Sequence, residues 1–478
     1  MDMQKRPNIL LIITEQHRGD CLGCEDHPVL LTPNMDEIAA CGVRFSRFYS
    51  DCPVCMPARR TILSGQHPST HGLLSNVEGL EWEPEATLPR VLRDNGYQTR
   101  WIGRSMHQYP RRARFGYDEV EEDGYAPDTE YGRWFKANAP ADCGGWFGGG
   151  VMHNDWTARP WPLPEYLHRT NWTVERALTF LRRRDPSCPF FLTLSFIAAH
   201  PPLQPPETYF NRYLRTGVPQ PHRGDWAQPP EAYTGVSPSR IDLKGEALLS
   251  TRAGYYGLIN HLDDQLRRVI NGVVGIRHNH DTIVCLTSDH GEMLGDHYCW
   301  RKSVAYEGSA RVPFLLSAPR GMLEAGPGAV FDTPATLADL MPTLLDMAGV
   351  DIPGSVDGRS LLPLMRGASG FDREWVHIEH AGTMQALTDG HEKYIWHPSS
   401  GREQFFDLDT DPNELHDLSC EEQGRSRIPV WRSRLIERLE GRPEGFVRDG
   451  RLNSGRPSVS ALEHAGNRTG YERSKFFS

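Results

Sequence analysis

A short segment between Cys52 and Gly65 combines a cysteine, a proline and an arginine at a spacing that could form a reactive centre. The pattern predicts a loop that continues into a helix, with Pro57 in the first turn, where proline is tolerated, and Gly65 as a left-handed cap. Cys55 then lies at the helix N-terminus, where free N–H groups and the helix dipole favour negative charge. Arg59 lies one turn further on the same face and could bind an oxyanion with two nitrogens. The segment therefore predicts a nucleophile beside an anion site.

Several other polar side chains directly follow segments that predict β-strands, and they too could do chemistry. They are Glu15, Gln16, Arg104, His107, His200, Asp289 and His290. The carboxyl ends of parallel strands meet at one edge of an open α/β sheet, where ligand sites lie. Any one of these groups alone would be equally consistent with a solvated loop. Because they follow several strands of one sheet, we expect them to share an active site with Cys55.

Four of these residues have the side-chain types of a metal site. Glu15, Gln16 and Asp289 supply carboxylate and amide oxygens, which suit a hard divalent cation. His290 adds an imidazole, which also admits Mn²⁺ or a similar transition metal. We therefore expect one divalent cation bound between the ends of neighbouring strands.

The motif Cys55-x-Pro57-x-Arg59, followed by Ser64 and Gly65, resembles the signature of the type I sulfatases, in the alkaline-phosphatase-like superfamily. In that family the cysteine is oxidised after translation to formylglycine, whose hydrated aldehyde is the nucleophile. The similarity covers most of the chain. Residues 287–291 and 295–302 look like the family's second metal segment and the segment that carries its sulfate-binding lysine.

The resemblance implies roles for individual residues of this chain. It implies catalytic roles for Cys55, Arg59, Arg104, His107, His200 and Lys302, and metal binding by Glu15, Gln16, Cys55, Asp289 and His290. The implied cofactors are formylglycine at position 55 and Ca²⁺. The implied partners are a formylglycine-generating maturation enzyme and a sulfate ester of a small molecule or saccharide.

Four residues depart from the family pattern. Glu15 and Gln16 stand where two aspartates are usual, Arg104 replaces a lysine, and His107 falls one residue later than usual. Arginine can bind two oxygens at once, so its exchange for lysine is not neutral. The longer Glu15 side chain is expected to shift the cation or the backbone.

Hydrolysis of sulfate esters is the leading functional hypothesis. The combination of Gln16 and His290 resembles phosphonate monoester and phosphodiester hydrolases of the same superfamily, which are the nearest alternative. The departures from the family pattern suggest a non-catalytic binding protein as an alternative of another class. The CxxC pairs at 21–24 and 52–55 could instead form a zinc knuckle, although the gap between them exceeds the common spacing.

The elements that must position these groups predict an α/β fold. Short apolar runs at 8–13, 190–197 and 281–287 are typical of strands buried on both faces of a parallel or mixed sheet. Helical patterns lie between the strands, the longest at 247–271. We expect a large mixed, mostly parallel sheet sandwiched by helices, the alkaline-phosphatase-like architecture that the resemblance implies.

The pattern changes near residue 370. Short strands separated by turns follow, and then a helix at 430–439, which predicts a small antiparallel sheet with a helix packed on it. We expect a catalytic domain over 1–370 and a smaller α+β subdomain with a polar tail over 371–478. Specificity is expected in a Gly- and Trp-rich loop at 143–164 and in the Pro-rich segment after His200.

Composition and charge restrict the class of protein. The chain has 478 residues, of which 38% are hydrophobic and 24% charged, as in ordinary globular proteins. A net charge of −10 argues against nucleic acid or an acidic membrane as the partner. We see no signal peptide, and no segment approaches the roughly 18 apolar residues that cross a bilayer. The ten cysteines lack a compact disulfide pattern, so the expectation is a cytoplasmic protein with reduced thiols.

Overall fold

An eight-stranded sheet forms the centre of the protein. The structure is a computed structural model, and it describes residues 6–124, 127–145, 148–231, 239–273, 281–368 and 371–468. The strands of this part are β1 (Asn8–Glu15), β2 (Val43–Phe45), β3 (Phe48–Tyr49), β4 (Leu80–Glu81), β5 (Gln98–Arg104), β6 (Glu119–Asp123), β7 (Phe190–Ala199), β8 (Thr282–Ser288), β9 (Phe314–Ser317), β10 (Ala329–Phe331), β11 (Ala335–Thr336), β12 (Val376–His380), β13 (Met384–Thr388), β14 (Glu392–Trp396), β15 (Glu403–Asp407), β16 (Val447–Arg448), β17 (Arg451–Leu452) and β18 (Asn467–Arg468).

Helices cover this sheet, and short 3₁₀ turns occupy several connections. The α-helices of the described part are α1 (Pro33–Cys41), α2 (Cys55–Ser64), α3 (Pro68–His71), α4 (Leu88–Asp94), α5 (Glu130–Asn138), α6 (Arg169–Arg183), α7 (Glu207–Thr216), α8 (Gly245–Val273), α9 (Glu307–Ala310), α10 (Leu340–Met347), α11 (Leu362–Met365) and α12 (Glu422–Leu439). No helix of these residues is both long and apolar enough to cross a lipid bilayer.

The central sheet is mixed and mostly parallel. Its strand order is β10-β2-β9-β8-β1-β7-β5-β6, and only β9 runs antiparallel to its neighbours. β1 lies near the middle, parallel to both β7 and β8. The carboxyl ends of β1, β5, β7 and β8 therefore lie at the same edge of the sheet.

Apolar side chains of β1 alternate between two separate cores. Leu10 and Ile12 pack into the core that includes α8, whereas Leu11 and Ile13 pack into the core that includes α10. A strand covered on both faces needs apolar residues at every position, which explains its continuous apolar run. The predicted fold class, a large mixed sheet between helices with a small C-terminal antiparallel sheet, is confirmed.

The C-terminal sheet has the order β12-β13-β14-β15, and all of its pairs are antiparallel. One face packs on α12, and the other packs on residues that include Tyr49, Ala305 and Tyr306 from the larger part of the chain. The expected boundary at 370 falls at residues 369–370, outside the described residues, and the division into two domains stays a prediction.

Two helices differ from the sequence expectations. The helix expected at 430–439 begins eight residues earlier, because an apolar face that includes Ile428 and Trp431 continues past the exposed Pro429. The Pro-rich segment after His200 contains the amphipathic helix α7, whose buried face includes Phe210 and Tyr213.

Candidate active site

Helix α2 places Cys55 at its first position, as the sequence predicts. Val54 before it is extended, and Gly65 ends the helix with a φ of +66° while its N–H donates to Thr61 O at 2.8 Å. Every residue of α2 is buried, and Cys55 is only 6% exposed. Cys55 is therefore almost completely enclosed by the protein.

Three polar groups surround Cys55 Sγ. Lys302 Nζ lies 3.1 Å away, His290 Nε2 3.3 Å away and Glu15 Oε1 3.5 Å away. Burial raises the pKa of the Cys55 thiol to about 11; Lys302 lowers it, and the carboxylates of Glu15 and Asp289 raise it. The unmodified thiol is therefore protonated near neutral pH and is a weak nucleophile.

The predicted metal ligands come together because β1 and β8 are neighbours. Thr14 pairs with Ser288, so the two residues after Thr14 lie beside the two residues after Ser288. Asp289 Oδ1 accepts from the backbone N–H of Gln16 at 3.2 Å. His290 Nδ1 lies 2.9 Å from Gly291 O, which fixes the proton on Nδ1 and leaves the Nε2 lone pair towards Cys55.

The donor set of this site fits a divalent cation. Ligand atoms of Cys55, Asp289 and His290 lie within 4.8 Å of one another, and so do those of Glu15, Cys55 and His200. All of these side chains are buried, and their carboxylate and imidazole groups are types that bind divalent cations. Glu15, Asp289, His290 and residue 55 are the groups that would hold the ion.

Gln16, another predicted ligand, is tied to its neighbours in this structure. Its Oε1 accepts from Lys302 Nζ at 2.9 Å, and its Nε2 donates to Glu292. Its φ of +65° is uncommon for a residue with a side chain. Gln16 therefore connects the predicted metal site to Lys302.

Arg104 forms a two-pronged ion pair with Glu15. Arg104 Nε lies 2.5 Å from Glu15 Oε2, and Nη2 lies 3.3 Å from Oε1. Burial raises the pKa of Glu15, but the charges of Arg104 and Arg59 hold it well below its usual value. Glu15 is therefore ionised, and two departures from the family pattern, Glu15 and Arg104, are in direct contact.

Arg59 makes its hydrogen bonds within the protein. Its Nε donates to Asp289 Oδ2 at 3.1 Å and its Nη1 to Ser195 Oγ at 2.9 Å. Its Nη2 is buried, has no hydrogen-bond partner among the described residues, and lies 3.7 Å from Glu15 Oε2. In this structure Arg59 therefore supports the predicted ligand Asp289, and its expected contact with an oxyanion stays a prediction.

The two candidate acid residues differ in their surroundings. His107 has a φ of +56°, and its Nε2 lies 3.9 Å from Glu15 Oε1. His200 Nδ1 lies 2.7 Å from Pro201 O, so its Nε2 carries the lone pair. Burial, and then Lys302, lowers the pKa of His200 well below its usual value; burial and Arg104 do the same for His107.

Three residues of the site are absent from the sequence predictions. His153 stacks on His200 with ring centroids 4.9 Å apart. Ser195 binds Arg59, and Glu292 binds Gln16. Ser195 is a polar residue within the apolar run of β7, which is a signal that could have found it, whereas nothing in the sequence singles out His153 or Glu292.

A cleft beside Gln16 is lined by both segments that were expected to carry specificity. Asn154 and Trp156 come from the 143–164 loop, and Pro201 and Leu203 come from the segment after His200. The two segments are joined where Arg159 N–H donates to Leu203 O at 3.2 Å. The alcohol part of a substrate would meet these residues first.

The pairs of a zinc knuckle do not come together. Among the described residues, the groups of three or more close metal-binding side chains include Cys55 but not Cys21, Cys24 or Cys52. Cys52 Sγ instead contacts Leu74 O at 3.4 Å. The geometry argues against that alternative.

Comparison with known proteins identifies the family of the chain. Residues 7–350 match the family model described as Sulfatase, and residues 295–440 match the model of the C-terminal region of N-sulphoglucosamine sulphohydrolase. An arylsulfatase of Clostridium perfringens is 38% identical over 481 residues, covering 96% of this chain and 99% of the relative. A choline-sulfatase of Rhizobium meliloti is 28% identical over 88% of this chain and 83% of its own length.

The solved structures agree on the fold. The phosphonate monoester hydrolase of Agrobacterium radiobacter superposes with a TM-score of 0.79 at 23% identity, over 90% of this chain and 95% of that one. The alkaline-phosphatase-like α/β fold and the buried cysteine between two strand ends define the class of protein to which the chain belongs. The chain belongs to the sulfatase family and is a sulfuric ester hydrolase.

Proposed function

We propose that this enzyme hydrolyses sulfate esters with a formylglycine derived from Cys55 and one divalent cation beside it. The observation that carries the proposal is the set of groups around Cys55 Sγ, where Lys302, His290 and Glu15 all lie within 3.5 Å. The resemblance of the Cys55-x-Pro57-x-Arg59 motif to the sulfatase signature supports the modification.

Formylglycine at position 55 would supply the nucleophile, and the divalent cation would stabilise charge. A hydrated aldehyde at position 55 would offer one hydroxyl to attack and a second to release the sulfate afterwards, and the cation would act as a Lewis acid. We propose Glu15, Gln16, Asp289, His290 and residue 55 as the cation's ligands. The family resemblance favours Ca²⁺, whereas the amide and imidazole ligands also admit Mn²⁺.

The residues of the chain would bind and orient the sulfate group. Lys302 and Arg104 are the cations closest to Cys55 and Glu15, and they would neutralise charge on the non-bridging oxygens. Arg59 would act by holding Asp289 in place. The contacts of each side chain within the site support these proposed roles.

His200, or His107, would donate a proton to the departing alcohol. His200 is neutral in this structure, since its surroundings lower its pKa. A bound sulfate ester would bring negative charge next to Nε2 and thereby favour the protonated form. The proton would then pass from Nε2 to the alcohol oxygen as the bond to sulfur breaks.

The substrate would be the sulfate ester of a small molecule or a saccharide, and a formylglycine-generating maturation enzyme would be needed as a partner. Support comes from the relatives, which include an arylsulfatase and a choline-sulfatase. The cleft at Trp156 and Leu203 would receive the alcohol.

The mass of the proteolytic peptide that contains Cys55 tests the modification directly. We expect the active enzyme to carry the aldehyde, and Cys55→Ala to lower turnover of an aryl sulfate by at least about 10³-fold. Fully active enzyme whose residue 55 is plain cysteine would refute the proposal.

Hydrolysis of phosphonate monoesters or phosphodiesters is a second candidate, which the Gln16 and His290 pair favours. Parallel assays on an aryl sulfate and an aryl phosphonate separate the two reactions. A higher kcat/KM for the phosphorus substrate would favour the second candidate.

A further inference from the structure

The segment that carries Lys302 has an unusual backbone. Arg301 and Ser303, on either side of Lys302, have φ angles of +69° and +78°. For residues other than glycine such angles are unfavourable and persist only where surrounding contacts hold them. The position of Lys302 therefore depends on what holds residues 301–307.

One side of this segment is hydrogen-bonded to the residues just before α2, the helix that begins at Cys55. The N–H of Ser303 donates to Pro53 O at 2.9 Å, two residues before Cys55. Met293 N–H donates to Arg301 O at 2.7 Å. These contacts hold the first part of the segment, next to Cys55.

The other side is held by a buried lysine of the C-terminal sheet. Lys393, on β14, is completely buried. Its ammonium group lies 2.8 Å from Ala305 O, 2.7 Å from Glu307 Oε1 and 2.8 Å from Glu414 Oε1. An ammonium group has three hydrogens, and these three acceptors satisfy all of them.

Glu414 closes the network. Its other oxygen, Oε2, accepts from the N–H of Glu307 at 2.8 Å. Tyr306, between the two bound residues, donates its hydroxyl to Gln404 Oε1 on β15 at 2.8 Å. Residues 305–307 are thus bound to the C-terminal sheet at each successive residue.

We propose that Lys393 is a positioning residue, which holds the 301–307 segment so that Lys302 reaches the sulfate site. A buried charge is costly unless fully paired, and an apolar residue of similar volume would fill the same space. Lys393 has no contact with Cys55 or with the proposed metal ligands among the described residues, so it acts through the backbone. The inference rests on the proposed role of Lys302 in binding sulfate.

The test compares Lys393→Met with Arg442→Met. Arg442 is a matched control, because it is a cation of the C-terminal part that pairs with the buried Glu379 at 2.7 Å. We expect both variants to melt at a lower temperature. Only Lys393→Met should weaken binding of inorganic sulfate, measured by calorimetry, by about tenfold.

A double-variant cycle separates positioning from general damage. In the Lys302→Met background, Lys393→Met should change sulfate affinity by less than about twofold, since the group it positions is gone. An equal loss of affinity in both backgrounds would overturn the proposal. If Lys393→Met does not fold, Glu414→Gln should weaken sulfate binding by about threefold, and an unchanged affinity would overturn the proposal.

Hydrogen exchange gives a readout that needs no ligand or turnover. The amides of Ser303 and Glu307 should exchange about tenfold faster in Lys393→Met and unchanged in Arg442→Met. Unaltered exchange at both amides in Lys393→Met would refute the positioning role. A wild-type enzyme that binds sulfate but hydrolyses no sulfate ester would refute the proposed function instead, and would leave this test intact.

Discussion

At the scale of single residues, the contact between Glu15 and Arg104 explains why two unusual side chains occur together. Glu15 has no exposed surface and Arg104 is 4% exposed, so neither charge is solvated by water. The extra methylene of glutamate lets both carboxylate oxygens reach the guanidinium group. Each residue compensates for the other, and a change at one position alone would leave a buried charge without its main partner.

We expect Arg104→Met to lower the free energy of unfolding by about 3 kcal/mol, because it removes one member of a buried ion pair. Urea denaturation measures the change. The double variant Glu15→Gln/Arg104→Met should lose less than Arg104→Met alone. If the loss in the double variant equals the sum of the losses in Arg104→Met and in Glu15→Gln, the two residues act independently.

At the scale of elements, the spacing between β5 and β7 depends on a glycine. Gly103, directly before Arg104, has a φ of +112°, and a Cβ built there would lie 2.0 Å from Ser195 O. Ser195 also binds Arg59. Close packing of β5 against β7 therefore positions Arg104, which follows Gly103, and also Arg59, which is bound by Ser195.

We expect Gly103→Ala to destabilise the fold by at least about 3 kcal/mol and to lower activity, because β5 and β7 must move apart. Gly96→Ala is the matched control: Gly96 has a φ of +89°, but a Cβ there meets no atom within 4 Å. That control should cost only about 1 kcal/mol. Thermal unfolding together with kcat/KM distinguishes them, and equal effects of the two changes would contradict this explanation.

The elements themselves were largely predictable, since their signals are local. The sequence predicted β1 from its apolar run and α8 from the longest helical pattern. It also predicted α2 from Pro57 in the first turn and Gly65 at the end. The α7 helix was missed, because its Pro-rich surroundings masked an amphipathic pattern.

The sequence predicted which residues lie in the site but not the contacts among them. Strand ends predicted that Glu15, Asp289 and His290 would lie near Cys55, and they do. The pairing of Arg104 with Glu15 and the engagement of Arg59 by Asp289 depend on side-chain directions in three dimensions. The sequence contains no local signal for either contact.

At the scale of the whole molecule, the C-terminal sheet contacts both the loop before Cys55 and the chain that follows α12. The N–H of Glu379 on β12 donates to Asp51 O at 2.9 Å, shortly before Cys55. The Glu379 carboxylate pairs with Arg442 at 2.7 Å. Residue 379 therefore connects distant parts of the chain, through its backbone N–H on one side and its carboxylate on the other.

We expect the Glu379 pair to make stability depend on acid. Burial raises the pKa of Glu379, but Arg442 outweighs this and the pKa falls from its ordinary value of 4.5 to about 2. A carboxyl group with a depressed folded pKa stabilises the fold above its unfolded pKa, and this contribution disappears as pH falls through the folded value. The stability advantage of wild type over Glu379→Gln should shrink by up to about 3 kcal/mol between about pH 5 and about pH 2. Urea denaturation at each pH measures it, and a constant difference would contradict the assignment.

The position of β1 has a consequence for the order in which the protein is made. This first strand lies between β7 and β8, so a ribosome must complete more than half of the chain before its second neighbour exists. Until then the nascent Cys55 lacks the partners that later enclose it, and long-range pairing of this kind is slow. We expect an enzyme that modifies this thiol to meet its substrate during synthesis, because the finished molecule no longer offers the side chain.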